Sequence, residues 1–144
     1  MQMVAFYVEE YMSTLHLFLS HSWKYQNHYD SLVRRLRERS YFTFKDYSVP
    51  EDNPIIGAKT DAQLEAAIEA KMRLSSVVII MAGVYATHSK WITKEIAIAK
   101  RLGKPIIAIT PFGADRISAT VREAADEVVG WQTESIVAAI RRWA

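Results

Sequence analysis

The chain has 144 residues, of which 50% are hydrophobic and 24% charged, and its formal net charge is only +2. That length suits one domain with a full core, and that charge gives no sign of a nucleic-acid groove or of a basic surface for membranes. Because the sequence contains no cysteine, disulfides, thiolate chemistry and cysteine-based metal sites are excluded.

The start of the chain lacks the charged, apolar and small-residue regions of a signal peptide. The longest apolar runs, such as residues 77–82, are far too short to span a bilayer. Together with the absence of cysteine, these features predict a cytoplasmic protein with no membrane partner. Residues 1–14 are expected to be an N-terminal extension of one domain that covers residues 15–144.

The first half of the chain is predicted to contain two strands, each followed by a helix. Residues 15–20 form an apolar run typical of a buried strand, and residues 27–39 follow with apolar side chains at helical spacing. Residues 41–46, rich in aromatic side chains, predict the second strand. The helical pattern then returns at residues 61–74.

The middle of the chain continues the alternation with a strand and a well-marked helix. Residues 76–82 are apolar on both faces, as is typical of parallel strands buried between helices. Residues 89–102 predict a helix that begins at Ser89 as its N-cap. Gly103 and Pro105 should end that helix, since glycine accepts the left-handed terminal conformation and proline cannot continue it.

The last third is predicted to add two strands and two helices. Residues 105–110 and 127–130 predict strands, with a short helix at residues 117–125 between them. Residues 134–143 close the chain as an amphipathic helix whose apolar face, including Trp143, is expected to point inward.

Five strands that alternate with helices predict an α/β fold, namely a flavodoxin-like three-layer sandwich around a parallel sheet. At this length the expected strand order is 2-1-3-4-5, which places strands one and three side by side. Ligands in such sheets bind outside the carboxyl ends of the strands, where the order reverses. The predicted crevice therefore lies between residues 20–26 and residues 83–95.

The residues at this crevice exclude several familiar kinds of site. Strand one ends in Ser20 and His21 with no glycine, so it carries neither a dinucleotide-binding nor a Walker-type phosphate loop. The four histidines are not spaced as metal ligands, and no metal is expected. From their position at the switch point, Phe18, Ser20 and His21 are predicted to line a ligand pocket.

The segment that opens the predicted helix 89–102 is the most informative one. Trp91 and Glu95 are four residues apart and share one helical face. Ile92, Ile96 and Ala99 form a neighbouring stripe that should pack on the sheet, which would point the Trp–Glu face sideways along the rim of the crevice. Spacing alone leaves two interpretations open: Glu95 is a site residue, or it is an exposed glutamate stabilised by the helix dipole.

These segments resemble those of a TIR domain, specifically the stand-alone prokaryotic kind typified by the Thoeris anti-phage system. Residues 17–23 read LFLSHSW and are similar to the first TIR box of that group. Residues 89–96 read SKWITKEI, followed by GKPII at residues 103–107, and are similar to the helix and strand that carry the catalytic glutamate of NAD-cleaving TIR domains. The resemblance covers residues 15–144.

The resemblance implies roles for particular residues. It makes Glu95 the catalytic residue and Trp91 a substrate-binding residue one turn before it. It also makes Asp46 a pocket residue in the second TIR box, although that box usually has Arg-Asp followed by Pro-Gly. Here Lys45-Asp46 leads to Val-Pro-Glu at residues 49–51, so the arginine and the glycine of the family pattern are missing.

The implied activity is cleavage of the nicotinamide–ribose bond of NAD, as an NAD glycohydrolase or an ADP-ribosyl cyclase. NAD is the substrate and no further cofactor is expected. The product would be a cyclic or modified ADP-ribose that signals to a separate effector protein in anti-phage defence. The resemblance also implies self-association.

Two other functions remain open from the sequence. One is a TIR interaction module without enzymatic activity, for which the Trp91–Glu95 pair would have no use. The other is an enzyme like the nucleoside 2-deoxyribosyltransferases, which have a related fold and a glutamate nucleophile. Incubation with NAD or with deoxynucleosides would separate these possibilities.

Overall fold

The computed structural model describes residues 13–20, 26–48, 60–83, 90–111 and 117–144. In that part of the chain, strands and helices alternate from end to end. The strands are β1 (Thr14–Ser20), β2 (Thr43–Asp46), β3 (Val77–Met81), β4 (Ile106–Ile109) and β5 (Glu127–Val129). The helices are α1 (Gln26–Glu38), α2 (Asp61–Arg73), α3 (Lys90–Leu102), α4 (Ala119–Ala124) and α5 (Thr133–Trp143). Within the described ranges, no helix is both long enough and apolar enough to cross a bilayer.

The five strands form one parallel sheet in the order β2-β1-β3-β4-β5, which confirms the predicted fold class and strand order. Strand β1 lies between β2 and β3. In this register Leu17 is opposite both Asp46 and Val77, and Ser20 is opposite Ile80. The carboxyl ends of β1 and β3 therefore meet at one edge of the sheet, where the order reverses.

The two faces of the sheet carry separate apolar clusters, because successive side chains of a strand point to opposite faces. Leu17 and Leu19 of β1 pack in the cluster that contains side chains of α1 and α5. Phe18 lies on the other face, in the cluster that contains side chains of α2, α3 and α4. Ser20 is two residues after Phe18 and shares its face, so it points toward α2 and α3.

Helix α3 ends as its sequence predicts. Gly103 has a φ of 69°, and its N–H donates to the carbonyl of Lys100 at 3.2 Å, while the N–H of Lys104 donates to the carbonyl of Ala99 at 2.9 Å. These two bonds form a Schellman motif, which satisfies the last carbonyls of the helix. The predicted N-cap, Ser89, lies outside the described residues.

Two details of the sequence-based prediction are wrong. Trp143 is 39% exposed and not inward, because its indole N–H donates to Glu127 Oε1 at 2.8 Å at the outer edge of the sheet. Tyr41 precedes the strand that was expected to include it. It has a φ of 59° and is 72% exposed, and its carbonyl accepts a hydrogen bond from Arg141 at 2.7 Å.

Candidate active site

Glu95 lies on the side of α3 that packs on the sheet. Ile92 and Ala99, three residues before and four residues after it, are fully buried in the same cluster as Phe18, and Glu95 itself is only 7% exposed. The sequence-based expectation that Glu95 points along the rim is therefore wrong. Ile96, which was expected in the buried stripe, is only partly buried. A carboxyl group therefore lies on the buried face of α3, where the helical pattern predicts an apolar side chain.

Burial dominates the chemistry of this carboxyl group. Removal from water disfavours the charged form and raises the pKa of Glu95 from its ordinary value of 4.5 to about 8. The hydroxyl of Ser20 acts in the opposite direction and lowers the pKa by a smaller amount. No described charged group adds to these two effects. At neutral pH the carboxyl group is therefore mostly protonated in the free protein.

Ser20 completes a polar pair at the carboxyl end of β1. Its side chain is 2% exposed, and its pairing with Ile80 of β3 holds it at the point where the strand order reverses. Among the described residues, neither Ser20 Oγ nor Glu95 Oε2 has a hydrogen-bond partner, although both atoms are buried. Leaving a buried polar group unpaired costs roughly 1–3 kcal/mol. Buried polar groups without a partner near a topological switch point are typical of a ligand site.

Trp91 lies one helical turn before Glu95 and is half-buried against the cluster that contains Phe18. The ammonium groups of Lys90 and Lys94 each lie 5.5 Å from the centre of its ring. Lys94 also forms an ion pair with Glu65 of α2, with its Nζ 3.2 Å from Oε1. The indole therefore separates the apolar cluster from a small group of positive charges.

Two other residues near β1 are predicted to line the site, and the structure describes only one of them, Phe18. Phe18 has no exposed surface and packs in the core directly below the level of Ser20. His21 lies outside the described residues, as do residues 84–89 on the other side of the predicted crevice.

Asp46 is not brought together with Glu95. It is opposite Leu17 in the register and lies on the face of the sheet that α1 covers. Its carboxylate accepts hydrogen bonds from the hydroxyl of Tyr29, from the N–H of Ser48 at 2.8 Å and from the hydroxyl of Ser48 at 2.9 Å. Desolvation, followed by the hydrogen bond to Asp46, raises the pKa of Tyr29 to about 12. Asp46 thus joins the end of β2 to α1.

The sequence patterns did not predict the Tyr29–Asp46–Ser48 network or the effect of the Ser20 hydroxyl on the pKa of Glu95. Tyr29 carried one usable signal, because a tyrosine on the inner face of a helix needs a partner for its hydroxyl. Nothing in the spacing of Ser20 and Glu95 indicated that both would be buried with an unpaired oxygen. Within the described ranges, no group of three or more His, Asp or Glu side chains could hold a metal ion.

Comparison with known families adds a separate finding. Residues 18–116 match the family model described as "Thoeris protein ThsB, TIR-like domain", which is more than half of the chain. The matched stretch runs from β1 to the residues after β4 and includes Ser20, Trp91 and Glu95. No curated protein matches the chain.

Proposed function

Since the chain belongs to the TIR-like family of the Thoeris protein ThsB, we propose that it cleaves the nicotinamide–ribose bond of NAD within a TIR-type anti-phage system. The observation that supports this activity is the carboxyl group of Glu95, which is buried, has no described partner at Oε2 and lies on α3, the helix that follows β3. A glutamate with only a structural role is not expected in such a position, because burial of a carboxyl group destabilises the fold.

The main requirement of this reaction is a negative charge close to the ribose carbon that loses nicotinamide. When the bond between the ribose carbon and the ring nitrogen breaks, the electron pair stays with nicotinamide, which leaves as a neutral molecule without help from an acid. The ribose is left with a positive charge. A carboxylate close to that carbon stabilises the developing cation, and its effect is strongest in a site from which water is excluded. In this proposal Glu95 supplies that carboxylate, and the support for it is its burial.

The protonation of Glu95 in the free protein fits this chemistry. The pyridinium ring of NAD carries a positive charge, and an opposite charge nearby favours the ionised form of a carboxyl group. Binding of NAD would therefore lower the pKa of Glu95 from about 8 and release its proton. The charge would form only when the substrate that needs it is in place.

The proposal also assigns the surrounding residues to the rest of the NAD molecule. In this proposal the indole of Trp91 stacks on the base or the ribose, and Lys90 and Lys94 attract the diphosphate. Ser20 and His21 are proposed to contact the substrate from the side of β1. If the pocket excludes water, a nucleophile of the ADP-ribose itself captures the cation and gives a cyclic product. That product would reach a separate effector protein, and self-association would complete the pocket.

The variant Glu95→Gln tests the proposal most directly. It keeps the size of the side chain and removes the charge, so nicotinamide release should fall roughly a hundred- to a thousandfold. Glu123→Gln, on the exposed side of α4, is the matched control and should release nicotinamide at the wild-type rate. Both variants should be assayed with NAD over a range of protein concentrations, because a pocket completed by self-association loses activity on dilution.

Two outcomes of this assay would overturn the proposal. Equal rates from folded wild type and Glu95→Gln would remove Glu95 from the mechanism. An absence of nicotinamide release at every concentration, also with extract of phage-infected cells, would favour an interaction module. Deoxynucleosides should be tested in parallel, since base exchange between them would indicate a deoxyribosyltransferase.

A further inference from the structure

A groove on the outer surface of α5 lies on the side of the molecule away from α3. Helices α1 and α5 pack on one face of the sheet and α3 packs on the other. The groove has a volume of about 400 Å³ and is lined by Arg39, Glu134, Val137, Ala138, Arg141 and Arg142. Five of these residues have the helical spacing of one face of α5, so the groove, here called the α5 groove, runs along that helix.

The short side chain of Ala138 makes this depression possible. Ala138 is exposed, and its neighbour in the groove, Val137, is buried in the core. Longer charged side chains surround them, from the adjacent turns of α5 and from Arg39 at the end of α1. The α5 groove therefore has an apolar floor and a charged rim.

Two arginines of the rim are held in place by their neighbours. Arg39 binds Glu134 through Nε at 2.6 Å and through Nη2 at 3.1 Å, and its side chain is only 26% exposed. The guanidinium of Arg141 lies 5.6 Å from the centre of the Phe42 ring. Side chains that are already ordered lose little freedom when a ligand binds, so this part of the rim is preorganised.

Arg142 carries the donors that a ligand would use. Its Nε donates to Glu127 at 3.1 Å and its Nη2 donates to the same carboxylate, while the side chain stays 55% exposed. A guanidinium has five N–H groups in a planar fork. Those on Nη1 are not used in the bonds to Glu127, and a carboxylate is a geometrically suitable acceptor for them.

The connection from α1 to β2 is hydrogen-bonded to the same rim. Tyr41 has a φ of 59°, which is an unfavourable conformation for tyrosine, and its side chain is 72% exposed. Arg141 donates to the carbonyl of Tyr41 at 2.7 Å, and Arg39 donates to the carbonyl of Ser40. Strained conformations persist where the surrounding structure holds them, and they are concentrated at functional sites. Tyrosine and arginine are also the residue types that dominate binding at protein interfaces.

Positive charge is concentrated on this side of the molecule. Residues 26–41 and 133–144, which contain α1, α5 and the turn at Tyr41, carry six arginines and only three acidic residues. Their side chains therefore have a net charge of +3, whereas the whole chain has +2, so the rest of the chain is slightly negative. A negatively charged partner would be attracted to this side.

We propose that the α5 groove is a docking site for an acidic segment of another protein. A carboxylate of that segment binds Nη1 of Arg142, and an apolar side chain next to it covers Ala138. The carboxylate of Glu134 in the lining favours a segment over a small polyanion such as a nucleotide, because a segment spreads its charges along the groove and a nucleotide does not. The docking site does not depend on NAD cleavage, since α3, which carries Glu95, packs on the other face of the sheet.

The test is an NMR titration of the whole ¹⁵N-labelled chain with a synthetic peptide of glutamates around a central leucine. We expect the backbone amide signals of α5 and of residues 39–41 to shift and to reach saturation. The same peptide with lysine in place of glutamate should leave these signals unchanged, because the rim repels it.

Arg142→Gln removes the donors assigned to the carboxylate and should weaken the affinity for the glutamate peptide about tenfold. Arg101→Gln is the matched control. Arg101 of α3 also binds a glutamate, Glu69, at 3.1 Å, and its side chain is 59% exposed. This control removes the same charge at the opposite layer and should bind the peptide as wild type does.

Ala138→Gln tests the shape of the groove without a change in charge. The longer side chain should fill the depression and weaken the affinity about tenfold or more. Ala97→Gln, at an exposed alanine of α3, is its control and should bind normally. Both positions are exposed on helices, so both variants should fold, which circular dichroism checks.

Four outcomes would overturn the proposal. Equal losses of affinity in Arg142→Gln and Arg101→Gln would mean that general attraction between charges explains the binding. An absence of shifts in α5 would exclude the groove as the binding site. ATP that shifts the same signals at lower concentration than the peptide would indicate a nucleotide site. Shifts of these signals on concentration of the protein alone would indicate contact between two copies of the chain.

Discussion

Glu95 and Asp46 show how the surroundings of a carboxylate decide what it can do. Asp46 accepts three hydrogen bonds, one from Tyr29 and two from Ser48, and these bonds join β2 to α1. Glu95 has one oxygen with no described partner, and its burial raises its pKa to about 8. The two carboxyl groups therefore differ in their described hydrogen bonds: Asp46 is bound within the fold, and Glu95 Oε2 has no described partner.

Removal of the phenol hydroxyl of Tyr29 tests the structural role assigned to Asp46. Tyr29→Phe deletes one donor to the carboxylate and should lower the free energy of unfolding by about 1–2 kcal/mol, while nicotinamide release stays at the wild-type rate. Urea denaturation followed by circular dichroism measures the loss. Tyr41→Phe is the control, because the side chain of Tyr41 is 72% exposed and its substitution should leave stability unchanged. A Tyr29→Phe variant as stable as wild type would argue against the network.

Helix α3 is the element that carries the site. Its first turn bears Trp91, its buried stripe bears Glu95, and its end is fixed by the two hydrogen bonds of the Schellman motif at Gly103. Since the helix is packed on the sheet through Ile92, Ile98 and Ala99, its rotation about its own axis is set by that contact. The same contact sets the direction in which the carboxyl group points.

The end of α3 offers a test of how much this helix depends on its terminal glycine. Gly103 has a φ of 69°, and a Cβ added there would meet no atom within 4 Å, so the cost of Gly103→Ala is conformational and not steric crowding. We expect a loss of about 1 kcal/mol in the free energy of unfolding, with unchanged nicotinamide release. Gly103→Asn should lose less, because asparagine tolerates this conformation better. Thermal unfolding of the two variants side by side checks the order, and equal stability of Gly103→Ala and wild type would contradict the argument.

On the scale of the whole molecule, Glu95 couples folding to pH. The unfolded chain releases the proton of this residue near pH 4.5, whereas the folded chain holds it up to about pH 8. Between these values the folded state binds more protons, so the free energy of unfolding falls as pH rises and levels off above about pH 8. The variant Glu95→Gln cannot titrate. Its free energy of unfolding should be close to that of wild type near pH 5 and higher by roughly a few kcal/mol near pH 9.

The measurement is chemical denaturation of wild type and Glu95→Gln at a series of pH values. Glu69→Gln is a control in which the pKa shift has the opposite sign. The hydrogen bond from Arg101 lowers the pKa of Glu69, and the charges of Arg101 and Arg73 lower it further. The stabilisation by ionised Glu69 is therefore fully present above pH 4.5. Its loss in Glu69→Gln should lower the free energy of unfolding by the same amount at every pH between 6 and 9, so the slope against pH should not change. Parallel curves for wild type and Glu95→Gln would mean that Glu95 is ionised in the folded protein.

Local patterns in the sequence determined the elements and their order. The alternation of apolar runs with helical periods predicted every described strand and helix to within two residues at each end. The glycine after α3 marked the end of that helix correctly. The strand order also followed, because short right-handed connections between parallel strands allow few arrangements in a chain of this length. The family could be recognised from residues 17–23 and 89–96, and both segments overlap residues 18–116, which match the family model.

The tertiary structure alone decided which way Glu95 faces. With about 100° of rotation per residue, Glu95 and Ile96 lie roughly 50° on opposite sides of the line through Ile92 and Ala99. The helical period is therefore equally consistent with either of them in the buried stripe, and hydropathy favoured Ile96. Packing of α3 against α2 and the sheet turned the helix toward Glu95 and placed it beside Ser20, a residue 75 positions earlier in the chain. A contact of that kind leaves no trace in local spacing, because it depends on how two separate elements meet.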